Sequence, residues 1–198
     1  TEAGRPLTLA ELAHRMDSRP LHVARSERAA IRNALAGALG RVSGNWGPMT
    51  VAILADEADA QVRRTLVMSL RRAQPESAKA GLLLGLADAN AQVRADAAYA
   101  SAEHPNIEEL RAPLRAALGD QDALTRAASA RALGVLKDTQ ATDTIVALVN
   151  DDDAETRLQA LRAIKRIDSS LLAQVDLAAL SQDGDERIAR EASRLSGE

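Results

Sequence analysis

Apolar and polar positions along this chain follow one pattern again and again. Val62, Leu66 and Leu70 stand at helical spacing, as do Val93, Ala97 and Ser101. Each set marks one face of an α-helix. An Asp or Asn precedes each such run, at Asp59, Asn90, Asp122 and Asp153. Short polar side chains there can accept hydrogen bonds from the unpaired N–H groups of a first helical turn. Between the runs lie apolar clusters closed by an acid: Ile53-Leu54-Ala55-Asp56, Leu84-Gly85-Leu86-Ala87-Asp88, Ala117-Leu118-Gly119-Asp120 and Ala147-Leu148-Val149-Asn150-Asp151. Pro48, Pro75 and Pro105 fall near the starts of these segments, where a missing N–H costs least. The pattern predicts helices over 7–16, 27–42, 48–56, 59–73, 76–88, 91–103, 106–119, 122–136, 140–150, 153–167, 170–181 and 184–196.

The helices come in pairs, because the chain repeats itself. Asp59-Ala60-Gln61-Val62-Arg63 returns as Asn90-Ala91-Gln92-Val93-Arg94, then as Asp122-Ala123-Leu124-Thr125-Arg126 and Asp153-Ala154-Glu155-Thr156-Arg157. The arginine advances by 31, 32 and 31 residues. One step back lies Arg32, and one step forward the position holds Ala189. Six units result, near 1–43, 44–74, 75–104, 105–137, 138–167 and 168–198. A two-helix unit cannot bury its apolar face alone, so neighbours must stack. The expectation is an all-α fold, an α-α superhelix of about six helical hairpins forming a single domain over 1–198. The stretch Val42-Ser43-Gly44-Asn45-Trp46-Gly47-Pro48 is the most loop-like and could act as a local joint.

Composition agrees with this. The chain has no Phe, one Trp and one Tyr, and about a fifth of it is alanine. Such a core must be filled by Leu, Val, Ile and Ala at close helix–helix spacing, and a sheet is disfavoured. No cysteine is present, which removes disulfides, thiolate metal sites and thiol nucleophiles. Charged residues are 27% of the chain, and no apolar run reaches the ~20 residues of a membrane span. The net charge of −3 argues against a non-specific nucleic-acid coat. The Ala-, Arg- and Asp-rich style points to a bacterial coding bias. A cytoplasmic location is favoured, with export left open because the chain starts at Thr1 and a leader could precede it.

The Asp-x-x-Val-Arg-x-x-Ala pattern at a period near 31 resembles HEAT-like repeats of the short, bilin-lyase-related type. The likeness covers nearly the whole chain and is stronger in units 2 to 5. It implies an α-α superhelix whose second helices line the concave face. It implies scaffold, adaptor or assembly roles, with a few enzymes among relatives, and so leaves function open.

The recurrent arginines Arg32, Arg63, Arg94, Arg126 and Arg157 read as a structural ladder. An arginine just inside each second helix can bond the acidic turn of its own or the adjacent unit. Asp151-Asp152-Asp153 reads as a solvated turn with an N-cap, because the further ligands of a calcium loop do not follow. His14, His22 and His104 show no metal spacing. No Gly-x-Ser-x-Gly elbow or Gly-rich phosphate loop occurs. No catalytic residue, cofactor or metal is therefore expected. Trp46, between Gly and Pro neighbours, reads as packing over a helix end.

A stripe at two, six and ten residues after each unit's Val position should face the groove. It holds Arg41, Arg64, Met68, Arg72, Tyr99, Arg131, Arg162, Arg166, Arg190 and Arg194. Ala95, Glu103, Ala127, Val135 and Leu158 also fall on it, as do Asn33 and Gly37 in unit 1. Arg, Tyr and Met suit a recognition surface. The leading expectation is a non-enzymatic protein-interaction module that takes an acidic protein segment. Nucleic-acid binding, in the manner of HEAT-like DNA glycosylases, and tetrapyrrole binding, in the manner of bilin lyases, are the alternatives.

Overall fold

The computed structural model describes residues 47–197, together with 29–30, 32–34 and 36–37. The described part of the first unit is helical, and within 47–197 the chain builds five pairs of segments. In the first pair, α1 (Gly47–Asp56) leads to α2 (Ala60–Ser69), and in the second α3 (Pro75–Leu86) leads to α4 (Ala91–Ser101). The next pairs are α5 (Arg111–Ala116) with α6 (Ala123–Val135), and α7 (Thr142–Ala147) with α8 (Ala154–Ile167). The last is α9 (Leu177–Leu180) with α10 (Glu186–Ser196). The expected helices at 7–16 and over most of 27–42, with His14, His22, Arg41 and Trp46, lie outside the described residues.

The second helices of units 2 to 5 start at the caps expected from sequence, and the last starts at Asp185, which the sequence reading did not name. Asp59 accepts from the N–H groups of Gln61 and Val62, and Asn90 from those of Gln92 and Val93. Asp122, Asp153 and Asp185 likewise accept from Leu124, Thr156 and Arg187. The last helix stops at Gly197, whose φ of 85° is left-handed. Glycine adopts that conformation without a Cβ clash.

Three first segments differ from the expectation of single helices over 106–119, 140–150 and 170–181. Around Pro113, a 3₁₀ turn at Glu108–Leu110 precedes α5 and another at Ala117–Gly119 follows it. Segments Thr139–Ala141 and Leu148–Asn150 bracket α7 in the same way. Before α9 the chain runs as a 3₁₀ helix over Ser169–Gln174. Short helices cannot stabilise themselves, so packing onto the second helices sets where they tighten.

The core runs lengthwise through the stack. Leu66, Leu82, Leu114, Leu133, Leu161 and Ile188 are each at most 1% exposed. Small residues let the helices approach closely, as a core lacking aromatics requires. A Cβ on Gly134 of α6 would stand 2.7 Å from the Cα and Cβ of Ala163 in α8. Where unit 4 and unit 5 carry Thr in place of Val, the hydroxyls of Thr125 and Thr156 donate across to the carbonyls of Ala91 and Ala123, each at 3.2 Å. These buried hydroxyls thereby tie each second helix to the one before it.

The recurrent arginines join the units. Arg63, Arg94, Arg126 and Arg157 each place Nε and Nη2 on one carboxylate of the following unit, at 2.7–2.9 Å. Their partners are Asp88, Asp120, Asp151 and Asp183. Each Nη1 meanwhile donates to two carbonyls of its own inter-helix turn, Glu57 and Ala58 for Arg63 and Asp88 and Ala89 for Arg94. Arg32 makes the same two-pronged contact with Glu57. Each carboxylate also accepts the N–H two residues ahead, as Asp120 does from Asp122 at 2.9 Å. One guanidinium thus binds two consecutive turns at once, a geometry suited to its planar fork of donors.

Candidate functional site

The second helices present one continuous face, and the helical period decides which residues occupy it. Successive steps of four, three and four keep residues on one side of a helix, whereas two steps of four drift around it. The face accordingly runs through positions one before and three, six and ten after each Val site. In α4 and its flank these are Gln92, Asp96, Tyr99 and Glu103; in α6 they are Leu124, Ala128, Arg131 and Val135. The first position of the stripe expected from sequence lies deeper, and it is buried in units 4 and 5. Ala127 is 4% exposed and Leu158 1%, because both turn into the contact with the neighbouring second helix. Arg64 at the same position of α2 is half-buried.

On this face lies an open groove of about 440 Å³. Arg64, Tyr99 and Arg131 line it, as the stripe predicts, along with Ala95 and Ala127. Gln92, Asp96, Leu124, Ala128, Glu155 and Gln159 also line it, and sequence reasoning missed all six. The signal for three of them was available in the recurrence of Gln61, Gln92, Leu124 and Glu155 directly before the Val site, and Asp96, Ala128 and Gln159 stand one helical turn further on. Leu124 is 51% exposed and gives the groove an apolar patch with Ala95 and Ala128.

The missed acids change the electrostatics. Arg64 is not a free cation: its Nε lies 2.7 Å from Asp96, and its Nη1 donates to Gln61 and Gln92. Glu155 is held by Arg187 at 2.7 Å. Arg71, which the stripe omits, pairs with Glu103 at 2.8 Å, and that hydrogen bond is the main cause holding the Glu103 carboxyl below its ordinary range. Arg194 pairs with Glu191, and Arg190 stands 3.9 Å from Glu186. Much of the positive charge expected in the groove is thus neutralised by acids on the same helices or one unit away.

What remains, apart from the exposed Arg72, gathers toward the C-terminal units. Met68, Tyr99, Arg131, Arg162 and Arg194 recur at one register of successive units, and Arg166 follows Arg162 by one turn. The Arg131 guanidinium lies 4.1 Å from the centre of the Tyr99 ring and that of Arg71 5.1 Å. Both distances suit cation–π attraction. Arg131 Nη1 is shielded from solvent and finds no hydrogen-bond acceptor. Neither Arg131, Arg162 nor Arg166 has a carboxylate within ion-pair distance among the described residues. Desolvation lowers the pKa of Arg166 from its ordinary value, and repulsion from Arg131 and Arg162 adds to this against the attraction of Glu191. Arg72, exposed in the 3₁₀ turn Leu70–Arg72, and Met68, half-buried in α2, sit beyond the groove lining. Arg162, Arg166, Arg190 and Arg194 also lie outside it.

The acidic run separates into three uses: Asp151 anchors Arg126, Asp153 caps α8 and Asp152 is exposed. His104 faces Leu70 O across 2.9 Å, joining the end of one unit to the next. Among the described residues no helix is long and apolar enough to cross a membrane.

Comparison with known proteins agrees with this architecture. HEAT repeats match residues 111–196, which span α5 to α10. No curated protein matches the sequence. Among solved structures, a designed armadillo repeat protein in complex with the peptide (KR)4 is similar at 16% identity. That match covers 96% of this chain and 99% of the other, with a TM-score of 0.62. The crystal structure of an engineered protein is similar at 17% identity, covering 92% and 94%, with a TM-score of 0.60. At such identities the likeness concerns the fold. Residues 111–196 thus match HEAT repeats, and the fold as a whole is an all-α solenoid of paired helices similar to that of armadillo-type repeat proteins.

Proposed function

We propose that this chain is a non-enzymatic protein-interaction module, one continuous repeat domain that takes an acidic segment of a partner protein along its second-helix face. The observation that carries the reading is the cluster of Arg131, Arg162 and Arg166, three cations that form no ion pair among the described residues, with Glu191, itself paired to Arg194, acting on Arg162 and Arg166 only at longer range. Like charges gathered on a partly desolvated surface are unfavourable until a counter-charge arrives. Tyr99 and Leu124 supply adjoining apolar contact, of the kind found at interface hot spots. The designed armadillo relative holds a basic peptide. Here the groove carboxylates Asp96 and Glu155 are already taken up by Arg64 and Arg187, so the open charge favours the opposite sign.

The test is a fluorescence-anisotropy titration of a labelled Asp/Glu-rich peptide and a Lys/Arg-rich counterpart against the full chain. The acidic peptide should bind, more weakly as salt rises. Arg131→Glu with Arg162→Glu should weaken it by about tenfold or more, in line with reversal of buried rim charge. Equal binding of both peptides, or no effect of the double substitution, would reject the reading.

A further inference from the structure

The arginine cluster differs from every other charged contact on this face, and the repeat register shows how. At neighbouring junctions, residues one unit apart are complementary: Arg64 meets Asp96, Arg71 meets Glu103, Arg131 covers Tyr99 and Arg187 meets Glu155. At the junction of α6 and α8 the same register places Arg131 beside Arg162, and Val135 beside Arg166. The two helices cannot spread apart there, because Gly134 seats directly on the backbone of Ala163. Gly134 lies one turn from Arg131, and Ala163 is next to Arg162. This close helix contact therefore keeps the two arginine-bearing helices together rather than apart. Stacking on Tyr99 fixes Arg131 while leaving its Nη1 without an acceptor.

We infer that Arg131, Arg162 and Arg166 form the seat of a phosphomonoester, carried as a phosphorylated side chain on the partner segment. This rests on the acidic-segment reading above and names the group that the segment delivers. Charge count and geometry select it. One carboxylate brings a single charge and two coplanar oxygens, enough for one guanidinium fork, as the paired arginines of this chain demonstrate. A phosphomonoester brings nearly two charges and three acceptor oxygens in a tetrahedral array. It can accept from guanidinium groups arriving from two helices at once. A phosphodiester has one charge and offers no such match.

The probes are inorganic phosphate, and a decapeptide bearing one phosphoserine between aspartates, with its Glu-for-phosphoserine counterpart. Side-chain Nε–H signals of ¹⁵N-labelled full chain are followed in phosphate and in acetate at matched ionic strength. Phosphate should move the signals of Arg131, Arg162 and Arg166 and leave the ladder arginine Arg94 in place, while acetate should not. The phosphopeptide should bind about tenfold tighter than the Glu peptide, because charge-assisted bonds from Arg to a dianion are the stronger class. That ratio should fall to near one in Arg131→Gln with Arg162→Gln. If that pair of changes disturbs folding, judged by circular dichroism, Arg166→Gln, at an exposed position, should lower the ratio instead. Equal affinity for the two peptides overturns the phosphate seat and leaves the acidic-segment reading standing. Phosphate-specific shifts at the cluster without binding of either peptide would leave only a free-anion site and overturn both the phosphorylated-segment inference and the acidic-segment reading. An equal response of all arginines to phosphate, an unchanged ratio in the variants, or a short single-stranded DNA binding as tightly as the phosphopeptide, would each overturn the inference.

Discussion

Replacing Arg94 by alanine removes the guanidinium that joins the turn of unit 3 to the turn of unit 4. Four hydrogen bonds disappear, two to the Asp120 carboxylate at 2.8 Å and two to the carbonyls of Asp88 and Ala89 at 2.9 and 3.1 Å. The pair is largely out of water, with side chains 19% and 14% exposed. Hydrogen bonds to charged groups contribute about 1.5–3 kcal/mol each. They are not additive, and Asp120 keeps the Asp122 N–H as a donor. Breaking a buried pair by removing one partner costs about 3–5 kcal/mol, and this half-open site should fall at about 2–4 kcal/mol on the same scale. The control is Lys79→Ala, which breaks the exposed Lys79–Glu109 pair at 3.1 Å and should cost under about 1 kcal/mol. Urea unfolding followed by circular dichroism gives both values, and Asp120→Ala with the double variant completes a cycle. A loss for Arg94→Ala no larger than that for Lys79→Ala, or a coupling near zero, would refute the idea that this ladder holds the units together.

The ladder should also make the fold acid-sensitive. Hydrogen bonds from arginine are the main cause holding Asp120, Asp151 and Asp183 below the ordinary carboxylate value of 3.8. At Asp88 burial opposes this, and the bonds from Arg63 and the Asn90 N–H outweigh it. Carboxyls depressed in the folded state bind fewer protons than in the unfolded chain, so their stabilisation is complete above the unfolded value and fades as pH falls through the folded ones. The contribution of these carboxyls should be constant from pH 7 to about 5 and fall below about pH 4; unfolding midpoints unchanged down to about pH 2.5 would contradict the assignment. Separately, Gly134→Ala puts a Cβ 2.7 Å from the Ala163 backbone and should destabilise by about 1–3 kcal/mol through overpacking. A neutral or stabilising result in the same urea assay, as expected of an open helical glycine, would show that α6 and α8 do not meet this closely.

The sequence determined whatever depends on neighbours within about one helical turn. The starts of the second helices were legible because Asp59, Asn90, Asp122 and Asp153 precede apolar runs, and a cap acts on N–H groups two or three residues ahead. The period was legible because the same arginine returns in a row of otherwise tolerant positions. Stacking was legible because a two-helix unit leaves an apolar face uncovered. Tertiary structure alone decided what spans the units. It set the two-sided reach of Arg94, to its own turn and to Asp120. It turned Ala127 and Leu158 inward, because the burial of a position depends on the angle at which the next helix crosses. It matched Arg64 with Asp96 and Glu155 with Arg187, each 32 residues apart, and left Arg131 over Tyr99 with no ion-paired carboxylate among the described residues. An arginine carries the same charge in the sequence whether or not a carboxylate waits one unit away. Only the stacking register determines which arginines are neutralised and which stay unpaired.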